Sequence, residues 1–211
     1  LDQVWDTAKG GSDVTDAEPV PAQGLGGHLA DRPVHMIGGA PPERCTEQLG
    51  VPGPWFDRLP HFRLDHTPSS GDELQTEYLL PAARAVEAVE AVETVARVGP
   101  LLSAVLQVSE IRTVAADGLW LSPAYRQDSL AVHFTWVRDV ARVLPAVRAV
   151  EAALLPLGAR PHWGKVYAAD PATVAARYER LPDFVALAQS MDPAGRFRND
   201  TVDRSLFQTY G

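Results

Sequence analysis

The chain has 211 residues, 45% of them hydrophobic and 22% charged, with a formal net charge of −8. This is a globular composition, long enough to bury a core without disulfide or metal staples, and its negative balance opposes general binding to nucleic acid or anionic lipid, which need clustered Lys and Arg. No apolar stretch of about 18 residues is present to span a membrane, and a single cysteine, Cys45, excludes a disulfide framework and fits a cytoplasmic origin.

The chain opens at Leu1 with no methionine and no signal-peptide pattern. Residues 1–5 (LDQVW) read as a strand without a lead-in, as expected of a fragment or a processed product. Residues 6–23 are polar and read as a loop, and residues 24–60 are rich in Gly and Pro and predict long ordered loops. A short strand is expected within 58–65. Residues 73–80 (ELQTEYLL) alternate, with Gln75 and Glu77 on one face and Thr76, Tyr78 and Leu80 on the other, which predicts a half-buried strand.

Pro81 is expected at the first position of a helix. Val86, Val89, Val92 and Val95 recur every three residues beside Glu87, Glu90 and Glu93, predicting one amphipathic helix lying on a sheet and stopped by Gly99 and Pro100. Strands follow at 106–115 and 130–136. A helix is expected over 139–155, with Pro145 kinking it or marking its start. Residues 160–167 read as extended. Asp170 and Pro171 predict a capped helix to about Glu179, and Pro182 opens another to about Met191. This order predicts an α+β fold, a large antiparallel sheet flanked by helices, with a short helical C-terminal segment as a separate unit.

Several polar residues stand where apolar ones are expected. Glu110 and Arg112 are two apart on a strand and share a face, amid Leu106, Val108, Ile111 and Val114. They must be paired or face a cavity; an ion pair at a sheet edge satisfies the same spacing. His133 and Thr135 repeat the pattern on the next strand, and antiparallel pairing would gather all four into one patch. Such a patch suits a ligand with many hydroxyls, each needing a donor and an acceptor; a satisfied core histidine with a surface threonine is the plainer reading. His162, Trp163 and Lys165 crowd an extended segment in which Gly164 permits close backbone approach. There is no dinucleotide fingerprint, no Walker loop, no G-x-S-x-G and no metal-ligand spacing.

Four segments together, LPHFRLDHTPSSGDELQTEYLLP (59–81), SEIRTVAADGLWLSPAYRQDSLAVHFTW (109–136), RPHWGK (160–165) and LPDFVALAQSMDPAGRF (181–197), resemble the sugar-alcohol (alditol or xylitol) oxidases. These belong to the aldonolactone oxidase branch of the vanillyl-alcohol oxidase flavoproteins. The resemblance implies a substrate-binding cap at 1–160 and a segment at 161–211 that returns to an upstream FAD-binding domain, which would hold most of the FAD. It implies oxidation of a polyol primary alcohol to the aldehyde, with O2 reduced to hydrogen peroxide. It also implies that Glu110, Arg112, His133, Thr135 and Lys165 line the polyol site, with His162 near the flavin. Lys165 and Arg112 would stabilise alkoxide character, while Glu110 holds Arg112 and accepts a hydroxyl hydrogen bond. A D-arabinono-1,4-lactone-type aldonolactone oxidase shares the Glu-x-Arg feature, and a non-catalytic polyol-binding module is the reading without chemistry.

Overall fold

The computed structural model describes residues 30–35, 41–54, 57, 65 and 72–207. The strand expected at 1–5, the loop at 6–23 and nearly all of the strand expected within 58–65 lie outside these residues. The chain divides into two units, Leu1–Gly71 and Asp72–Gly211. In the first, Gln48 clamps Val34, accepting from its N–H at 3.1 Å and donating to its carbonyl at 3.0 Å. A 3-10 turn, Pro42–Arg44, precedes the buried Cys45 and Thr46.

The second unit is α+β. Strands β1 (Glu73–Pro81), β2 (Leu106–Val114), β3 (Ser129–Val137) and β4 (Arg160–Pro161) form one antiparallel sheet in the order β2-β3-β1-β4. Helices α1 (Ala85–Arg97) and α2 (Val140–Leu154) cover one face. Tyr78 and Leu80 of β1 and Leu130, Val132, Phe134 and Trp136 of β3 meet Ala88 of α1 and Val143, Val147, Val150 and Leu154 of α2 in the main core.

Two local expectations are corrected, and the alternatives for Pro145 are decided. Pro81 ends β1 in extended geometry (φ −52°, ψ 128°), and a 3-10 turn, Ala82–Arg84, separates it from α1. The ladder wins there because Ala82 N–H still donates across it to the Asp128 carbonyl at 2.8 Å. The valines of α1 do not form its buried stripe, since residues three apart turn through about 300° and drift around a helix of 3.6 residues per turn. Ala88 is the buried residue, Ala85, Val92 and Val95 pack beside it, and Val86 is 71% exposed. Pro145 lies inside α2, whose N-cap is Asp139, accepting from Arg142 N–H.

The α2 stripe contains a carboxylate. Buried Glu151 accepts from the Tyr78 hydroxyl at 3.1 Å and from Ala168 N–H at 2.8 Å, joining helix, β1 and the chain beyond β4. Burial pushes its carboxyl above the ordinary value, only partly offset by those hydrogen bonds, one from Ala169 and the charge of Arg148. A carboxyl whose folded pKa is raised keeps a proton that the unfolded chain releases, so stability falls as pH rises above about 4.5. Glu151→Gln retains an accepting oxygen and removes the titration. Urea unfolding across pH is expected to show the variant matching wild type below pH 4.5 and exceeding it at neutral pH. A difference that does not change with pH would contradict the account.

Beyond β4, α3 (Pro171–Ala175), α4 (Leu181–Met191), α5 (Asp200–Val202) and a π turn (Asp203–Phe207) gather around Val174, Tyr178, Leu181, Val185 and Phe207. The helix expected to reach Glu179 ends at Ala175 because Tyr178 turns inward, buried, its hydroxyl donating to the Pro161 carbonyl at 3.2 Å. This second core takes in Trp163 and Tyr167, so it continues from the sheet's last strand.

Candidate active site

Successive side chains of a strand point to opposite faces. With Leu130, Val132, Phe134 and Trp136 committed to the helix-covered core, Ala131, His133 and Thr135 emerge on the other face of the sheet. Register sets Glu110 of β2 and Glu77 of β1 opposite His133, a polar row across three strands. The neighbouring rows are Val108, Thr135 and Gln75 on one side, and Arg112, Ala131 and Leu79 on the other.

A bulge in β2 makes this possible. Leu106 pairs with Trp136 and Val108 with Thr135, leaving Gln107 as an extra residue. One inserted residue resets which side chains face which way. Leu106 packs on the core, while Val108, Glu110 and Arg112 share the face of Thr135 and His133. Arg112 then reaches across β3. Adjacent strands lie about 4.8 Å apart, and the residue opposite Arg112 is Ala131, short enough to let the guanidinium pass. Its Nη1 donates to Glu77 Oε1 at 2.9 Å and its Nη2 to Glu110 Oε2.

Lys165 arrives from the other edge. Beyond β4, His162 N–H donates to the Glu77 carbonyl and Val166 N–H to that of Gln75, both at 2.9 Å. Four residues on one side answer two on the other, so 162–165 loops out of the ladder. Lys165 N–H closes the turn on the His162 carbonyl at 3.1 Å, and Gly164 N–H donates to His162 Nδ1 at 3.0 Å. A Cβ at Gly164 would stand 3.3 Å from the His162 ring, so glycine keeps the turn tight. Trp163 anchors it, donating to the Leu121 carbonyl at 2.9 Å with its ring 4.7 Å from that of Tyr178. Lys165 Nζ thereby reaches Glu77 Oε2 at 2.7 Å.

The structure thus brings Glu110, Arg112, His133 and Lys165 into one cluster, sets Thr135 buried in the adjacent row of the same face, and holds His162 at its rim. The residue at its centre, Glu77, was legible only as the polar side of an alternating strand. Two carboxylates face two cations, so their charges balance. Burial opposes ionisation of Glu77, but the Lys165 hydrogen bond and the charges of Lys165, Arg112 and His133 outweigh it and hold its carboxyl below the ordinary value.

His133 is 5% exposed. Its Nδ1 lies 3.2 Å from Arg112 Nη2 and 3.3 Å from Glu110 Oε1, and its Nε2 is buried with no hydrogen-bond partner among the described residues. Buried polar atoms are paired in the great majority of cases, so this nitrogen stands out within the cluster. Burial, reinforced by the charge of Lys165, pushes the His162 imidazole below its ordinary pKa despite Glu77. Neutral, and accepting at Nδ1 from Gly164, His162 carries its hydrogen on Nε2. Among the described residues no group of three or more His, Cys, Asp or Glu can hold a metal ion, and no helix is long and apolar enough to cross a membrane.

The family described as D-arabinono-1,4-lactone oxidase matches residues 72–205, a span containing every residue of the cluster. The chain is similar to an alditol oxidase from Streptomyces sp. (strain IKD472 / FERM P-14339), 54% identical over 166 residues that make up 79% of this chain and 39% of that protein. It is also similar to an L-gulonolactone oxidase from Scyliorhinus torazame, 30% identical over 46% of this chain and 23% of the other. An L-gulono-1,4-lactone dehydrogenase from Mycobacterium tuberculosis (strain ATCC 25618 / H37Rv) is 35% identical over 46% of this chain and 22% of its own length. The chain therefore spans about two fifths of the alditol oxidase it matches.

Proposed function

Since the chain belongs to the D-arabinono-1,4-lactone oxidase family, we propose that it is the substrate-binding portion of an FAD-dependent alditol oxidase. It would oxidise the primary alcohol of a polyol such as xylitol or sorbitol: RCH2OH and O2 give RCHO and H2O2. The observation that carries this reading is the convergence of charged donors and acceptors beside the unpaired His133 Nε2, between a row with Thr135 and Gln75 and an apolar row with Ala131 and Leu79. The similarity to an alditol oxidase, higher than to the lactone enzymes, supports a polyol.

The residues present fit the reacting end of a flavin site. His162, with its hydrogen on Nε2, would lie against the ring system, and the unpaired His133 Nε2 awaits a polar ligand. FAD, when bound, supplies the hydride acceptor and the route to oxygen. The helices among the described residues do not begin on glycine-rich phosphate loops, so the reading gives most of FAD binding to an upstream domain. It takes 1–160 as cap and 161–211 as the returning segment, in a cytoplasmic protein.

The chain's own residues orient the polyol and stabilise charge. Arg112 and Lys165 carry fixed positive charge, worth most where water is excluded, and stabilise the oxygen as its hydroxyl proton leaves. Glu110 accepts a substrate hydroxyl while holding Arg112, and His133 and Thr135 meet further hydroxyls.

The flavin-loaded enzyme containing this chain is expected to release hydrogen peroxide with xylitol or sorbitol. Turnover confined to aldonolactones would move the assignment to a D-arabinono-1,4-lactone-type oxidase. The isolated chain is expected to leave gel filtration without flavin absorbance, and stoichiometric retention of FAD would overturn the division of labour proposed here.

A further inference from the structure

Glu77 stands between two cations that come from opposite sides of the sheet. Arg112 reaches it from edge strand β2, across β3, and Lys165 from the turn after β4. Each carboxylate oxygen takes one cation: Oε1 accepts from Arg112 Nη1 at 2.9 Å, and Oε2 from Lys165 Nζ at 2.7 Å. The same residue's carbonyl accepts His162 N–H, so Glu77 holds the Lys165 turn by backbone and side chain together. The use of lysine is itself informative. Of the chain's 19 cationic residues only Lys9 and Lys165 are lysine. Lysine is a compact point charge on a flexible stem with several freely rotating bonds, and it keeps one position only if something holds it.

Resting on the polyol-oxidase reading of this site, we infer that Glu77 is a positioning residue, bridging Arg112 and Lys165 so that both cations are fixed where the substrate oxygen develops negative charge. Glu110 meets Arg112 and His133 from the other side of the same row. With both oxygens engaged by the protein, Glu77 acts through the cations. Its carboxyl is held below the ordinary value, against burial, so the bridge is in its charged form at neutral pH.

The test is Glu77→Gln in the flavin-loaded, full-length enzyme. The amide keeps the shape but offers one accepting oxygen in place of two. The limiting rate of anaerobic flavin reduction by polyol is expected to fall by ~tenfold, with a smaller change in apparent substrate affinity, as for loss of an interaction made in the transition state. Added to Lys165→Met, the substitution should cost less than ~threefold further, because groups acting as a unit are non-additive. Independently of turnover, reductive methylation of Lys165, normalised to Lys9 and read by peptide mass spectrometry, should quicken several-fold in Glu77→Gln. Full additivity with Lys165→Met, or unchanged Lys165 labelling, would overturn the role given to Glu77. If Glu77→Gln fails to load flavin, Glu77→Asp is read by the same criteria, since its stem is one methylene too short to bridge both cations. Wild-type enzyme inert toward polyols defeats the functional reading itself; active wild type with additive variants defeats only the bridge.

Discussion

Lys165→Met in the flavin-loaded enzyme is expected to slow the limiting rate of flavin reduction by polyol roughly a hundredfold or more, equivalent to about 3 kcal/mol of barrier. Methionine keeps the length and most of the packing of lysine but removes the cation at Glu77 Oε2. The turn itself should persist. Its backbone hydrogen bonds to Glu77 and Gln75 and its Trp163 anchor do not involve the Lys165 side chain. Substrate affinity should change less, because Glu110, Arg112, His133 and Thr135 still meet the remaining hydroxyls. Lys165→Arg keeps the charge but replaces a point charge by a planar fork, and is expected to restore only part of the rate. Stopped-flow reduction under anaerobic conditions separates the cases. An unchanged limiting rate with much weakened apparent affinity would make Lys165 a binding residue only.

The site was legible in part because strands repeat every two residues. That period puts Glu110 with Arg112 and His133 with Thr135, and the register then sets Glu110 directly opposite His133. The period does not say which face is buried. Leu106, Val108 and Glu110 have the same parity, and only the bulge at Gln107 separates Leu106, in the core, from the other two. Glu77 escaped notice for a different reason. Its partners lie 35 and 88 residues away, so no local spacing announces them, and in isolation it reads as the polar side of a half-buried strand.

The helices stand where the sequence put them, but tertiary contacts decided which residues they bury and where they end. The every-third-residue valines of α1 catch the eye, yet alanines at Ala85 and Ala88 let the helix lie close on the sheet. Glu151 would pass for a surface residue, but Tyr78 and Ala168 make its burial tolerable. Pro145 survives inside α2 because the residues around it, Val143, Ala146 and Val147, are all buried. Packing of the helix face carries most helical stability, which is enough to offset one missing N–H.

Trp136→Ala is expected to destabilise the protein by about 3–5 kcal/mol, the range for deleting a fully buried large aromatic side chain. Trp136 has no exposed surface, stacks on Phe134 with ring centroids 5.2 Å apart, and donates from Nε1 to the Thr76 hydroxyl at 3.1 Å. Truncation opens a cavity behind β3 and leaves the buried Thr76 hydroxyl without that donor, so two penalties combine. Trp136→Phe separates them. It keeps most of the packing and removes the hydrogen bond, and should cost nearer ~1–2 kcal/mol. Trp136 lies beside Thr135 on the strand that also carries His133, and it points to the face opposite those two, so its packing holds the strand from behind. Urea unfolding monitored by far-UV circular dichroism measures both variants. Equal losses for alanine and phenylalanine would mean that the Thr76 hydrogen bond, not the packed ring, holds β3 against the helices.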